Sequence, residues 1–221
     1  MVKIAGQSPR IAKFFRVGEL ENNISTIICC EISGNGTPLI LIPGLGDTVW
    51  VWRKIIPFIE NKYKVFALEQ RGHGRSSSPI GPYKGEDFKN DLYKLIQHNG
   101  IESPILIGHG FGALSSLVYI EKEKVNSIDG VVLISLQNYT YIKPPINVLR
   151  LIEKIKIPIL DIYGSLDFKE SIDIAPDRRL ASKKSGNSQY YQVEINGADH
   201  YFNNMEDNLI DHIINWTDNL L

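Results

Sequence analysis

The chain predicts an α/β fold, a mostly parallel central sheet with helices on both faces. Three observations lead there. Leu39-Ile40-Leu41-Ile42 and Val65-Phe66-Ala67-Leu68 are short runs without a polar residue, the character of strands covered on both faces. From Leu39 onward such runs alternate with stretches of helical periodicity, the order that a parallel sheet with crossover helices requires. Finally, the 221 residues are 43% hydrophobic and 22% charged, an ordinary globular balance. A chain of this length buries about 70% of its unfolded surface and needs no disulfide or metal staple. One domain over 1–221 is expected, with 1–36 supplying N-terminal strands of that domain.

The elements follow in order. Ala12 to Val17 and Ser25 to Ile32 are rich in β-branched and aromatic residues and read as strands, with Gly34-Asn35-Gly36 as the next turn. After the strand at Leu39–Ile42 comes a glycine-rich loop, then a helical stretch with Trp52, Ile55, Ile56 and Ile59 on one side. The strand around Val65–Leu68 leads into a long loop from Gln70 to Gly85. Phe88, Leu92, Leu95 and Ile96 mark a helix that Asn99-Gly100 ends. Strands at Pro104–Ile107, Val131–Ser135, Ile157–Tyr163 and Tyr190–Ile195 alternate with helices starting at Phe111, Ile146, Pro176 and Asn203. Pro176 suits a first turn, and Gly186 lies just past that helix's end.

Several function classes are excluded at this level. Net charge is −1, from 24 basic and 25 acidic side chains, so nothing favours a nucleic-acid backbone as partner. No apolar run approaches the ~20 residues of a membrane span, and the first six residues lack a signal-peptide core; a cytoplasmic protein is expected. Asn-X-Ser/Thr triplets such as Asn138-Tyr139-Thr140 carry no meaning without secretion. Cys29 and Cys30 are neighbours in a strand, point to opposite faces, and read as small buried hydrophobes. No Cys/His/carboxylate spacing suggests a metal, and no cofactor is expected.

The chemistry concentrates in Pro104-Ile105-Leu106-Ile107-Gly108-His109-Gly110-Phe111-Gly112-Ala113. This is strand, sharp turn and helix, with the shape of G-x-S-x-G but with Gly110 at the nucleophile position. Leu41-Ile42-Pro43-Gly44-Leu45-Gly46 follows the first buried strand, and Glu69-Gln70-Arg71-Gly72-His73-Gly74-Arg75-Ser76 follows the next. Tyr163-Gly164-Ser165-Leu166-Asp167 ends a late strand, and Gly197-Ala198-Asp199-His200 follows the last.

Taken together, these segments resemble the α/β-hydrolase family from Leu39 to the end of the chain. They stand in that family's order of nucleophile position, acid and histidine. The resemblance implies a cap-less, esterase-like member acting on a small-molecule ester. It implies His200 as general base, Asp167 as its orienting acid, and the backbone N–H groups of Leu45 and Phe111 as the oxyanion hole. By the same resemblance His73, Arg71 and His109 are expected to be structural, Asp199 to support its loop, and Asp161 to make a buried hydrogen bond. Trp50 and Trp52 are expected in the core, with the pocket lining as the alternative for Trp50.

The departures bear on activity. Gly110 cannot form an acyl-enzyme, and the branches that use a carboxylate nucleophile are excluded with it. Ser115 and Ser116 lie too far into the helix to replace it. Glu69 stands where the family has Asp. The stretch from Ser135 to Ile157 leaves room for a loop with Pro144-Pro145 and one helix, which implies an open site.

Three readings of Gly110 remain open: an enzyme or relic that natively carries Gly, a replacement of Ser that silences it, or a glycine needed by another ligand. The last draws on G-x-G-x-x-G/A, which Gly108 to Ala113 also fit. Its acidic partner, Asp129, precedes the following strand instead of ending it. A non-catalytic small-molecule or peptide binder on the same fold, and a non-covalent reaction that uses His200, are the alternatives to a slow esterase.

Overall fold

The computed structural model describes residues 9–19, 25–123, 128–139 and 145–220. Residues 1–6, where no leader is expected, Thr140 of the triplet, Pro144 of the predicted loop and Leu221 lie outside them. Strands β1 (Ile11–Glu19), β2 (Ser25–Ser33) and β3 (Thr37–Ile42) open the chain. A 3₁₀ turn at Val49–Trp52 and the short α1 (Ile56–Ile59) lead to β4 (Tyr63–Glu69) and α2 (Gly85–Asn99). Then follow β5 (Ile105–His109), α3 (Phe111–Glu123), β6 (Gly130–Ile134) and α4 (Val148–Lys154). The chain closes with β7 (Ile159–Leu166), α5 (Lys169–Ile172), α6 (Ala175–Ser185), β8 (Tyr190–Asp199) and α7 (Glu206–Asp218).

The eight strands form one sheet in the order β1-β2-β4-β3-β5-β6-β7-β8. β2 runs antiparallel to both of its neighbours, and every later pairing is parallel. The C-terminal ends of β3 to β8 therefore share one edge of the sheet, and the motif-bearing loops all leave from it. Strand period two divides the core cleanly. Ile40, Ile42, Leu106, Val131 and Leu133 pack with α2, α3 and α4 on one face. Leu39, Leu41, Ile105, Ile107, Val132 and Ile134 pack with Trp52, α1 and α7 on the other. Each apolar run is needed on both sides, which is why it carries no polar residue. Among the described residues no helix is long and apolar enough to cross a membrane.

Three elements differ from the sequence expectation. The helical stretch around Trp52–Ile59 is split, because Pro57 has no N–H to continue a helix and instead sits in the first turn of α1. Trp50 is not core: the 3₁₀ turn, capped by the Thr48 side chain, leaves it 68% exposed beneath Arg53, whereas Trp52 is buried. The last helix starts at Glu206 because Phe202 and Asn204 take positive φ, which no helix continues through. Cys29 and Cys30 are both free and buried, and burial pushes the Cys29 thiol up to about 11. Such thiols stay protonated and inert at neutral pH.

Asp161 lies inside β7 and is fully buried with Arg178 of α6, in a two-pronged pair at 2.7 and 3.0 Å. Arg178 also donates to the carbonyls of Leu136 and Ser171, at 2.8 and 2.9 Å. One guanidinium thus ties α6 to β7 and to the segment leaving β6. Removing one member strands the other as an unpaired buried charge. Asp161→Ala should lower unfolding free energy in urea by about 3–5 kcal/mol; an unchanged midpoint would show that the pair holds nothing together.

Candidate active site

The site begins with a steric constraint between β5 and α3. A Cβ at Gly112 would stand 2.0 Å from the Ile42 carbonyl oxygen, and one at Gly108 would stand 2.4 Å from the Ala113 nitrogen. Neither position accepts any side chain, so α3 can start hard against the end of β3 only with glycine at both. Between them Gly110 sits at φ +52° and donates its N–H to Ile134 of β6 at 2.8 Å. Ser115 and Ser116 hydrogen-bond back to the carbonyls of Phe111 and Gly112, as buried helix hydroxyls do, and take no part in the turn.

Asp167 follows β7 and His200 follows β8, and their side chains meet with Nδ1 and Oδ1 2.7 Å apart. A carboxylate only accepts, so His200 Nδ1 carries a proton, and in the neutral imidazole Nε2 keeps its lone pair. Asp167 Oδ1 also accepts the Phe168 N–H at 2.6 Å. Burial pushes the Asp167 carboxyl up, but hydrogen bonding from His200 and Ser135, with the Phe168 amide, outweighs it and holds it below its usual range. The Phe168 ring stacks on His200, with centroids 4.3 Å apart. The His200 carbonyl accepts from His109 Nε2 at 2.9 Å and from Ser135 Oγ at 3.2 Å. His109 therefore braces the histidine loop from beneath, and its Nε2 must carry a proton. Asp199 turns away and accepts the N–H groups of Tyr201 and Asn203, both at 3.0 Å.

His200 Nε2 faces the elbow. A Cβ at Gly110 would lie 3.7 Å from it and 3.5 Å from Tyr139 Oη, both ordinary contact distances. The structure thus brings Gly110, Asp167 and His200 together around the space where a nucleophile's side chain would stand.

Leu45 lies on the loop after β3 and Phe111 at the start of α3. Their amide N–H groups donate to no acceptor among the described residues. The loop after β3 is held from two sides. Gln70 Nε2 donates to the Pro43 carbonyl at 2.7 Å, and the Gly46 N–H donates to His73 Nε2 at 2.7 Å. His73 Nδ1–H in turn donates to the Arg71 carbonyl at 2.9 Å, which fixes the tautomer that leaves Nε2 an acceptor. Arg71 ties its own loop to α2 through Asp91, at 2.7 and 2.6 Å. Glu69 accepts the Arg75 N–H at 2.6 Å and braces the loop after β4.

His73, expected to be structural, braces the loop after β3 through the Gly46 N–H. Tyr139, singled out by no site expectation, faces Gly110 from just beyond β6. Asp129 lies before β6, at the edge of the sheet opposite Gly110, so the dinucleotide reading has no acid where it needs one. A cavity of about 250 Å³ lies on the far side of His109, lined by Trp52, Ile134, Phe202 and Leu209, and touches neither Gly110 nor His200. Among the described residues no group of three or more His, Cys, Asp or Glu side chains is placed to hold a metal ion.

The depressed Asp167 gives a signed stability test. Its folded-state proton affinity lies below the ordinary 3.8, so its ionised form stabilises the fold above pH 3.8. That share is lost as pH falls through the lowered value. Asp167→Asn should lose about 1–3 kcal/mol at pH 7. Its gap to wild type in urea should narrow below pH 3.8; a constant gap would mean that the carboxylate's charge is not what stabilises.

Comparison with known proteins places this geometry. Residues 37–157, 121 of the 221, match the model of the alpha/beta hydrolase fold family. The chain is 34% identical over 77 residues to 3-oxoadipate enol-lactonase 2 of Acinetobacter baylyi, covering 35% of this chain and 29% of that one. It is 31% identical over 90 residues to fluoroacetate dehalogenase of a Burkholderia species, covering 38% and 30%. The match thus spans less than a third of either relative's length. A bromoperoxidase structure from Bacillus anthracis superposes with a TM-score of 0.81 at 16% identity, over 94% of this chain and 100% of that one. Esterase RhEst1 from a Rhodococcus species gives 0.78 at 15% identity, over 95% and 99%. At such identities the two structures speak for the shared fold alone. With its matched family model, its sheet order and its glycine-framed elbow, the chain belongs to the alpha/beta hydrolase fold family.

Proposed function

We propose that this protein hydrolyses small carboxylic esters without an acyl-enzyme, using a water held where the serine side chain is missing. The observation that carries this reading is the Gly110 position, where a side chain would begin 3.7 Å from His200 Nε2, whose Nδ1 is paired with Asp167. A water there gives one proton to Nε2 as its oxygen attacks the ester carbonyl carbon. The resulting oxyanion accepts the N–H groups of Leu45 and Phe111. Collapse breaks the ester C–O bond, and His200 returns the proton to the leaving alkoxide. Asp167 keeps the imidazole in the right tautomer and stabilises its charged form.

Leu45, Phe168 and Tyr201 leave half or so of their apolar surface exposed, which supports binding of a small acyl or alkyl group. Only α4 is seen between β6 and β7 among the described residues, which supports an open, cap-less site.

Removing one member of a triad leaves about 10³–10⁴-fold catalysis over water, so a short-chain p-nitrophenyl ester is the substrate of choice. Gly110→Ser should raise kcat about 10³-fold or more, and His200→Ala should bring wild type to the buffer rate. If Gly110→Ser stays inactive, the esterase reading fails. If wild type binds esters and His200→Ala changes nothing, the protein is a binder.

A further inference from the structure

Tyr139 belongs to none of the segments that carry the hydrolase resemblance, yet its hydroxyl and His200 Nε2 are the polar side-chain atoms that face the Gly110 position. A Cβ at Gly110 would lie 3.5 Å from Tyr139 Oη and 3.7 Å from His200 Nε2. The ring is 3% exposed and packs edge-on against Phe111, with centroids 5.6 Å apart at 90°. Phe111 packs in the same way on Phe88 of α2, at 4.8 Å. The backbone that carries Tyr139 is pinned three residues earlier, where Arg178 donates to the Leu136 carbonyl at 2.8 Å. The hydroxyl is therefore aimed by a rigid stack and a buried charge pair, not by a loose side chain.

We propose that Tyr139 is a catalytic residue that orients the attacking water through its phenolic oxygen. This deepens the water-attack reading above and rests on it. A water one bond length beyond the Gly110 Cβ position has two hydrogens to place and one lone pair to aim. His200 Nε2 accepts one hydrogen, because the proton on Nδ1 is committed to Asp167. The phenolic oxygen of Tyr139 accepts the other. The remaining lone pair is then directed at the ester carbonyl, between the Leu45 and Phe111 amides. During attack the hydrogen on the Nε2 side transfers to His200. The hydrogen on the Tyr139 side stays with the new carboxylic acid, and Tyr139 loses no proton of its own. A serine hydroxyl has a single hydrogen and a covalent tether, so it needs no second acceptor. The phenol matters because the nucleophile is a free water.

The test compares steady-state p-nitrophenyl acetate hydrolysis by wild type and Y139F with burst-phase acylation by G110S and G110S/Y139F. Y139F keeps the ring against Phe111 and removes only the oxygen. It should lower wild-type kcat about 10- to 100-fold, chiefly in kcat and not in KM. Its effect on the serine acylation step should be at least about tenfold smaller. A second variant, G110A, puts a methyl in the water's place with the same positive φ as G110S, and should abolish turnover with Tyr139 intact. Equal slowing of both steps by Y139F would make Tyr139 a structural residue and overturn the proposal, as would an unchanged wild-type kcat. Full activity in G110A would remove the water itself. If G110S acylates while wild type shows no His200-dependent turnover, this proposal falls and the site assignment survives. If G110S does not acylate, the esterase reading falls first and takes this one with it.

Discussion

Everything at this site depends on how closely the backbone of α3 approaches the end of β3. With the Ile42 carbonyl 2.0 Å from where a Gly112 side chain would begin, the helix starts on top of the sheet and the turn before it has nowhere to relax. That contact sets Gly110 at φ +52° above the strand ends and turns its open side toward the loops after β7 and β8. It also sets the start of α3 against the end of β3, where the Gly112 position meets the Ile42 and Pro43 carbonyls. The two glycines that permit the approach are thus more fundamental than the residue between them. A side chain at Gly110 meets only ordinary contacts, whereas one at Gly108 or Gly112 meets backbone.

Around this fixed point the site is held through backbone carbonyls as much as through side-chain pairs. The His200 carbonyl takes hydrogen bonds from His109 and Ser135, so the imidazole's position is set from below by the residue just before the elbow. The loop that carries Leu45 is clamped at Pro43 by Gln70 and at Gly46 by His73. Preorganised donors and a fixed base do most of a hydrolase's work on charge that develops in the transition state. They remain in place whether the nucleophile is a serine oxygen or a water.

Much of this was legible in the sequence. The apolar runs at Leu39–Ile42 and Val65–Leu68 require cover on both faces, and period two assigned their residues to two cores. Gly108, Gly110, Asp167 and His200 were legible because the tight turn and the His–carboxylate pair tolerate few residue types at those points. Asp161, expected to make a buried hydrogen bond, does so inside its strand; its partner Arg178, a helix later, left no local pattern. Tyr139 left no pattern for the same reason: it faces Gly110 from an irregular segment beyond β6, where no periodicity fixes direction. Trp50 went wrong because apolar character alone was read as burial, and a 3₁₀ turn of three residues per revolution carries it out to solvent.

The claim at the centre of this account is that water, not a protein atom, attacks the ester. Intact-protein mass spectrometry on wild type, quenched by acid during steady release of p-nitrophenol from an activated ester, tests it most directly. The account expects the unmodified mass at every time point while product accumulates linearly. An acyl adduct that rises and falls with turnover would show a covalent nucleophile elsewhere in the site and contradict it.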